Sequence, residues 1–318
     1  MIQLRRLFGK NSRQGNWWAP LVLIIGTTAV LIATTVDFAT PQNASNLLAQ
    51  AMPLIIVAIG QMIVIVLAGM DLSVGSVMSM TTAILALDGS PFILIPLVFL
   101  AATAVGLTNG IAIVKLNVHP IIATLSMQFI VIGIAQLLRP VAGGSVPEIV
   151  VTMVTGRIFG MPTTILWGIA VIAIAWKVLH GSRFGLHVFA IGGGVASGQT
   201  DAAHNYGLPD QRIVIKAYVL SALFAALAGV FIAGRIASGD PSVGSQFALD
   251  SITAVAIGGT QLSGGVGGLH GTILGAILMA LLANGMNLAN LSAFLQGAIK
   301  GGILLLVVAL QSRKRMGL

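Results

Sequence analysis

Residues 49–78 read AQAMPLIIVAIGQMIVIVLAGMDLSVGSVM. The first twenty of them carry no charge, and a run of about 20 apolar residues is what a helix needs to cross a bilayer. The run breaks at Gly69, where an acid, two serines and two glycines fall within eight residues, and a second apolar run follows. Glycine and small polar residues permit non-helical backbone at membrane depth where protein covers it. This stretch therefore predicts two membrane helices joined by a Gly-rich interruption.

The composition of the whole chain agrees with a membrane protein. Of the 318 residues, 57% are hydrophobic and 8% are charged, whereas soluble domains carry roughly 25% charged residues. The mean hydropathy is +1.01. The absence of cysteine excludes a disulfide scaffold, a cysteine zinc site and a cysteine nucleophile. Five scattered histidines and eight acids leave little material for a metal site or a catalytic centre, so we predict neither.

Apolar runs recur along the chain at a spacing typical of multi-pass membrane proteins. We predict an all-α bundle of about ten transmembrane helices, with broken or re-entrant Gly-rich segments near 69–76 and 258–268. Eight or twelve spans are the alternatives, because several runs are short or interrupted by glycine. The predicted spans are 18–36, 49–68, 74–88, 92–114, 120–138, 163–179, 213–234, 251–260, 269–289 and 293–311.

Eleven of the 16 basic residues lie in three short segments. They are Arg5, Arg6, Lys10 and Arg13; Lys177, Arg183, Arg212 and Lys216; and Arg313, Lys314 and Arg315. Basic clusters between apolar runs mark cytoplasmic segments, so the net charge of +8 requires no nucleic acid. Both ends of the chain are basic, which predicts an even number of spans. We expect one transmembrane domain over 1–318, with cytoplasmic tails at 1–16 and 312–318 and a cytoplasmic loop at 179–212.

Polar residues inside the apolar runs are candidates for a translocation path. Amides suit hydroxyl-rich neutral solutes because they both donate and accept hydrogen bonds. The main candidates are Asp71, Ser73, Asn109, Gln128, Asn284 and Lys300. Interhelical hydrogen bonding is the alternative for each amide, and capping of the following helix is the alternative for Asp71. Lys300 is expected to snorkel outward, pair with a carboxylate or line the path. Asp250 falls at the edge of a predicted span.

Two further glycine patterns bear on the fold. The Gly-rich interruptions share the spacing Gly-x-x-Leu-Ser-x-Gly, beginning at Gly69 and at Gly259, which arises either from an internal repeat or by chance. Glycines four residues apart predict close helix packing; these pairs are Gly106 and Gly110, Gly271 and Gly275, and Gly297 and Gly301. A Walker A loop of the form Gly-x-x-x-x-Gly-Lys-Ser/Thr does not occur, so we do not expect this chain to bind ATP through such a loop.

Four ordered blocks of sequence resemble the permease family of bacterial ABC importers for ribose, xylose, related sugars and autoinducer-2. The blocks are Gly69-Met-Asp-Leu-Ser-Val-Gly-Ser76, Phe184-Gly-Leu-His-Val-Phe-Ala-Ile-Gly-Gly193, Tyr218-Val-Leu-Ser-Ala-Leu223 with Leu227-Ala-Gly229, and Asp250-Ser-Ile-Thr-Ala-Val-Ala-Ile-Gly-Gly-Thr260 followed by Leu262-Ser-Gly-Gly265. The resemblance covers nearly the whole chain after the first predicted helix.

The resemblance implies a permease subunit that moves a sugar or similar small hydroxylated solute across the inner membrane by alternating access. It also implies a second permease subunit (identical or different), a cytoplasmic ABC ATPase that uses ATP and Mg²⁺, and a periplasmic substrate-binding protein. The chain itself would bind no cofactor and catalyse no reaction. A stand-alone ion-coupled secondary transporter is the alternative, and a membrane-embedded enzyme is less favoured.

The family's coupling loop, which contacts the ATPase, contains an Ala-Ala pair followed by glycine. Its match in this chain is Asp201, Ala202, Ala203, His204 and Gly207. Two positions depart from the pattern, since Thr200 stands where an acid is common and His204 where arginine is common. The connection 194–199 is also longer than usual in the family.

Overall fold

The computed structural model describes residues 18–197 and 210–310. In this part of the chain the backbone forms twelve helices and one short β-hairpin. The helices are α1 Trp18–Thr34, α2 Pro41–Val66, α3 Val74–Leu85, α4 Pro91–Lys115, α5 Pro120–Leu138, α6 Glu148–Thr155, α7 Thr163–His180, α8 Arg183–Ser197, α9 Asp210–Ile236, α10 Phe247–Ile257, α11 Leu269–Leu288 and α12 Ala293–Leu310. The hairpin strands, β1 Arg157–Ile158 and β2 Met161–Pro162, pair antiparallel between α6 and α7.

The predicted all-α membrane bundle is confirmed, since each predicted span coincides with a helix. Among the described helices, α2, α4, α5, α7, α9, α11 and α12 are each long and apolar enough to cross a membrane alone, whereas α1, α3 and α10 are shorter. With 12 and 11 residues, α3 and α10 are only about 18 and 17 Å long at 1.5 Å per residue, against about 30 Å of hydrocarbon. Irregular segments complete these two spans.

Helix α9 occupies the centre of the bundle and packs against α2, α3 and α4. Gly106 and Gly110 of α4 lie against the α9 backbone at Val219 and Ile215, so α4 and α9 run antiparallel. This predicted glycine pair therefore forms a helix crossing, because only a residue without a side chain allows the two backbones to approach so closely.

The two ends of the bundle are marked by basic side chains. At one end, called here the Lys115 end, the Lys115 amine donates to the Gln211 side-chain carbonyl at 3.3 Å. At the other, called the Arg235 end, the Arg235 guanidinium donates to the carbonyl of Ala49 at 3.4 Å. The loop that follows α9 belongs to the Arg235 end, where Gly239 pairs with the 139–147 loop.

The turn between α2 and α3 lies inside the bundle. Helix α3 runs in the same direction as α9: the Tyr218 hydroxyl donates to the carbonyl of Met70 at 3.4 Å, and Gly229, three turns further along α9, lies against Met78. The interruption at 67–73 is therefore at the depth of Tyr218, covered by protein as the sequence predicted. Every residue of α3 is buried.

The span of α10 is completed by the irregular segment 240–246, which runs alongside α3. The hydroxyl of Thr82 donates to the carbonyl of Asp240 at 2.8 Å, and the hydroxyl of Ser79 accepts from the backbone N–H of Gly244 at 2.9 Å. The irregular backbone is thus hydrogen-bonded by hydroxyl groups of α3, which is the condition for such backbone at membrane depth.

The same type of turn ends α2 and α10. Ala68 and Gly259 have left-handed backbone, with φ of 59° and 84°, and the next N–H in each case bonds to the carbonyl five residues earlier. The Gly-rich segment after α10 touches the end of α2, since the N–H of Gly265 donates to the carbonyl of Val66 at 2.9 Å. Ala68 is thus equivalent to Gly259 in structure, whereas the shared spacing aligned Gly69 with Gly259. The sequence match therefore does not mark equivalent positions.

Candidate translocation site

A buried polar cluster, called here the turn cluster, surrounds the interruption between α2 and α3. The Asp71 Oδ1 atom accepts hydrogen bonds from the backbone N–H of Ser73 at 3.0 Å and from its hydroxyl at 2.6 Å. The side-chain amide of Asn109, on α4, donates to the same hydroxyl at 2.9 Å. All three residues are buried. Asp71 therefore holds the backbone just before α3. It does not cap that helix as the sequence analysis offered, since the N-cap residue is Ser73 and no described side chain bonds to the N–H groups of the first turn.

Side chains from three other helices satisfy the backbone of the turn. In the amide orientation that satisfies both groups, Gln61 of α2 donates to the Asp71 carbonyl at 3.0 Å and accepts from the Asp71 N–H at 3.3 Å. The hydroxyls of Thr124 and Tyr218, on α5 and α9, both donate to the carbonyl of Met70. The turn is thus a fixed polar element at membrane depth, because its non-helical backbone has side-chain partners.

One side of the turn cluster faces α9. Asp71 Oδ2 is buried and, apart from Ser221, has no hydrogen-bond partner in the part of the chain that the structure describes. The Ser221 hydroxyl of α9 lies beside this carboxyl group as a hydrogen-bonding neighbour, although it makes no other side-chain contact of that kind in the described chain. Buried polar atoms are nearly always paired in folded proteins, and the carboxyl oxygen and this hydroxyl can serve as each other's partner.

A second polar group lines a cavity of about 380 Å³ between α2, α10, α11, α12 and the segment 243–246. We call it the Lys300 cavity. The amine of Lys300, in the middle of α12, pairs with Asp250 Oδ2 of α10 at 2.6 Å. The other polar side chains in the lining are Gln50, Ser245, Gln246, Asn287 and Gln296. Gln296 donates to the Asn287 side-chain carbonyl at 2.9 Å.

The predicted path residues divide between these two groups. Asp71, Ser73 and Asn109 lie together in the turn cluster, and Lys300 lies in the cavity. Asn284 belongs to neither: it exchanges two hydrogen bonds with Asn43, at 2.8 and 3.1 Å, which is the interhelical bonding given as the alternative. Gln128 is half-buried on α5, apart from both groups.

The position of Asp250 corrects one expectation. The sequence placed Asp250 at the edge of a span, but α10 begins three residues earlier, at Phe247, and the irregular segment 240–246 forms the rest of the span. Asp250 is consequently buried within the bundle, opposite Lys300. A lone lysine in one apolar run and a lone acid in another are a signal for such a pair, because a charge at membrane depth needs a partner. Gln50, Gln246, Tyr218 and Ser221 were missed without any comparable signal.

The predicted coupling residues, Asp201, Ala202, Ala203, His204 and Gly207, lie outside the described residues. The helices that flank them are described. Gly192 of α8 lies directly against the Val66 carbonyl at the end of α2 and near the backbone of Gly265. The helix that leads into 198–209 therefore touches both Gly-rich turns.

Sequence comparisons with known proteins cover almost the whole chain. The family described as "Branched-chain amino acid transport system / permease component" matches residues 43–308, a range that includes both polar groups. The ribose import permease protein of Haemophilus influenzae is 33% identical to the chain, and the match covers 93% of the chain and 91% of that protein. The ribose import permease protein of Escherichia coli is 32% identical, and the match covers 93% of each protein. The galactose/methyl galactoside import permease protein of Salmonella typhimurium is 32% identical over 95% of both chains. No solved structure is a significant match.

Proposed function

Because this chain belongs to the family of transport-system permease components, we propose that it carries a sugar or a similar small hydroxylated solute across the bacterial inner membrane as part of an ATP-binding cassette importer. The observation that carries the proposal is the similarity, over more than nine-tenths of the chain, to permeases that are named for the import of ribose and of galactose/methyl galactoside. Amide and charged side chains in the bundle supply the hydrogen-bonding groups that sugars need.

The proposal includes an orientation, with the Lys115 end in the cytoplasm. Lys177 lies in the last turn of α7, and Arg212 and Lys216 lie near the start of α9, at that same end. The concentration of basic residues supports this orientation. We extend it to a single permease domain over 1–318, with cytoplasmic tails at 1–16 and 312–318 and a cytoplasmic coupling loop at 179–212.

In this mechanism the chain gates a path, and a partner ATPase performs the chemistry. Two permease subunits, identical or different, would sit on the ATPase and receive solute from a periplasmic binding protein. The segment 201–207 connects α8 to α9, so an ATPase that binds there acts on both helices. The contact of Gly192 with the ends of α2 and of the 258–268 turn supports a route from the ATPase to the interior of the bundle.

The first prediction concerns transport itself. Liposomes that contain this chain, its ATPase and its binding protein are expected to accumulate labelled ribose or galactose only when ATP is present. An ATPase variant without its Walker lysine is the control, and it should abolish uptake. Ion-driven uptake by this chain alone would instead identify a secondary transporter. ATP-driven uptake of leucine without sugar uptake would place the chain with amino-acid permeases.

The second prediction concerns the coupling segment. Replacing Asp201, Ala202, Ala203 and His204 with glutamates is expected to stop solute uptake while ATP hydrolysis continues, because the bulky acidic segment no longer transmits the movement of the ATPase. Glutamates at Asp88 and Gly89, in the exposed loop at the opposite end of the bundle, are the matched control and should leave uptake unchanged. Both activities are measured in the same liposomes. Normal uptake by the first variant would exclude this segment as the coupling element.

A further inference from the structure

We propose that the Lys300 cavity holds one molecule of the transported solute, with Asp250 and Lys300 as its charged contacts. This inference rests on the proposed function, because it names the place where a sugar permease would hold its sugar. The cavity has about 380 Å³, within the range of about 300–1,000 Å³ that is typical of small-molecule sites.

The chemistry of the lining favours a polar occupant. An ion pair and several amide side chains converge on a cavity between membrane helices. Polar groups at membrane depth are costly without hydrogen-bond partners, and lipid chains offer none. Water or a hydroxylated solute satisfies such a lining. A sugar satisfies it with many groups at once, because each hydroxyl donates one hydrogen bond and accepts others.

The ion pair retains capacity for a ligand. The amine of Lys300 has three protons and uses one on Asp250, whose Oδ2 atom is the one engaged. The two side chains are 16% and 12% exposed, so both can be reached from the cavity. Apolar contacts of similar volume stabilise helix packing as well as a buried ion pair or better. Holding α12 in place is therefore a weak explanation for this pair.

The wall that carries Lys300 is the outermost helix of this part of the protomer. Helix α12 packs against α10, and none of its described residues is fully buried. The other walls, from α2, α10 and α11, belong to the closely packed part of the bundle. Movement of α12 would therefore open or close the cavity without disturbing the core, as a site with alternating access requires.

The first test exchanges the two charges. Lys300→Gln is expected to lower ATP-driven uptake of ribose or galactose about tenfold or more, the factor for one lost charged hydrogen bond. In the double variant, Asp250→Lys with Lys300→Asp, an ion pair can form again but the donor and acceptor have changed places. We expect uptake to stay low while the amount of protein and the capture of the ATPase stay normal. Recovery of uptake by the double variant would show that the pair only tethers α12.

The second test detects occupancy without relying on transport. The chain has no cysteine, so Ser245→Cys introduces one thiol into the cavity wall and leaves the ion pair intact. In the intact complex, ribose or galactose is expected to slow labelling of this thiol by a water-soluble maleimide severalfold, since the bound fraction is protected. Ser90→Cys, at the exposed start of α4 near the same end of the bundle, is the matched control and should react equally with and without sugar. Equal labelling of Ser245→Cys under both conditions, while unsubstituted protein still imports the sugar, overturns the cavity assignment and leaves the proposed function standing.

Discussion

Gly271→Val is expected to prevent the chain from accumulating as folded protein, whereas Gly301→Val is expected to have almost no effect. Gly271 begins the crossing of α11 with α10, where a Cβ atom would overlap the carbonyl oxygen of Gly258. A Cβ on Gly275, one turn further on, would overlap the carbonyl oxygen of Ala254. Overpacking costs about 1–3 kcal/mol where neighbouring side chains can shift. Here the obstructing atoms belong to the backbone of α10, so the helices themselves must separate.

The consequences of that separation extend beyond α11. Helix α10 carries Asp250, and the turn after it contacts the end of α2. We therefore expect Gly271→Val to lower the amount of monodisperse protein after size-exclusion chromatography and to lower its Tm in detergent. A Tm equal to that of the unsubstituted chain would contradict the close packing of α10 and α11.

Gly301→Val is the matched control, because it makes the same chemical change in an equivalent motif. No atom of the described chain lies within 4 Å of a Cβ built on Gly301. Valine in a helix is also slightly more favourable than glycine. Normal yield and Tm are expected. Loss of a dimer with retention of a folded monomer would place this face of α12 against the second permease.

These glycine pairs show where sequence reasoning stops. The three pairs have the same four-residue spacing and cannot be told apart in the sequence. In the structure, Gly106 and Gly110 cross α9, and Gly271 and Gly275 cross α10. The pair on α12 meets no neighbouring helix in the described chain. Spacing predicts which residues can form a crossing. Which of these glycine pairs contact another helix depends on how all the helices pack together. The residues next to each pair in the sequence do not indicate this.

The fold was more predictable than the site for a related reason. A helix that crosses a membrane must be apolar over about 20 residues, so local runs predicted a helix in every span, although they missed the irregular segment 240–246 of the α10 span. The pairing of Asp250 with Lys300 joins residues 50 positions apart on two helices, and the use of Gln61 to satisfy the Asp71 backbone depends on a turn that folds back beside it. Such contacts are determined by tertiary packing. The sequence indicates only that a charged or polar residue inside an apolar run requires a partner, and it does not identify that partner.

Asp71→Leu is expected to lower the Tm strongly and to abolish uptake, whereas Asp71→Asn is expected to retain the fold. Leucine leaves the buried N–H of Ser73 without its partner, a loss of about 1–3 kcal/mol, and removes the acceptor that orients the Ser73 hydroxyl toward Asn109. Asparagine keeps an Oδ1 acceptor in the same place. Its Nδ2 group replaces the Oδ2 atom and can donate to the Ser221 hydroxyl beside it.

The asparagine variant separates the two roles that the sequence left open for Asp71. A carboxylate buried without a neighbouring cation is costly, and Lys300, in the middle of a membrane helix, is paired with Asp250 instead. A neutral amide avoids that cost, so a purely structural Asp71 predicts that Asp71→Asn matches or exceeds the original Tm and retains most of the ATP-driven uptake. A normal Tm with lost uptake would contradict this expectation and assign the carboxyl group of Asp71 to the translocation path. Thermal unfolding and uptake measured on the same preparations of Asp71→Asn and Asp71→Leu distinguish the two outcomes, because only the leucine variant removes the Oδ1 acceptor that bonds to Ser73.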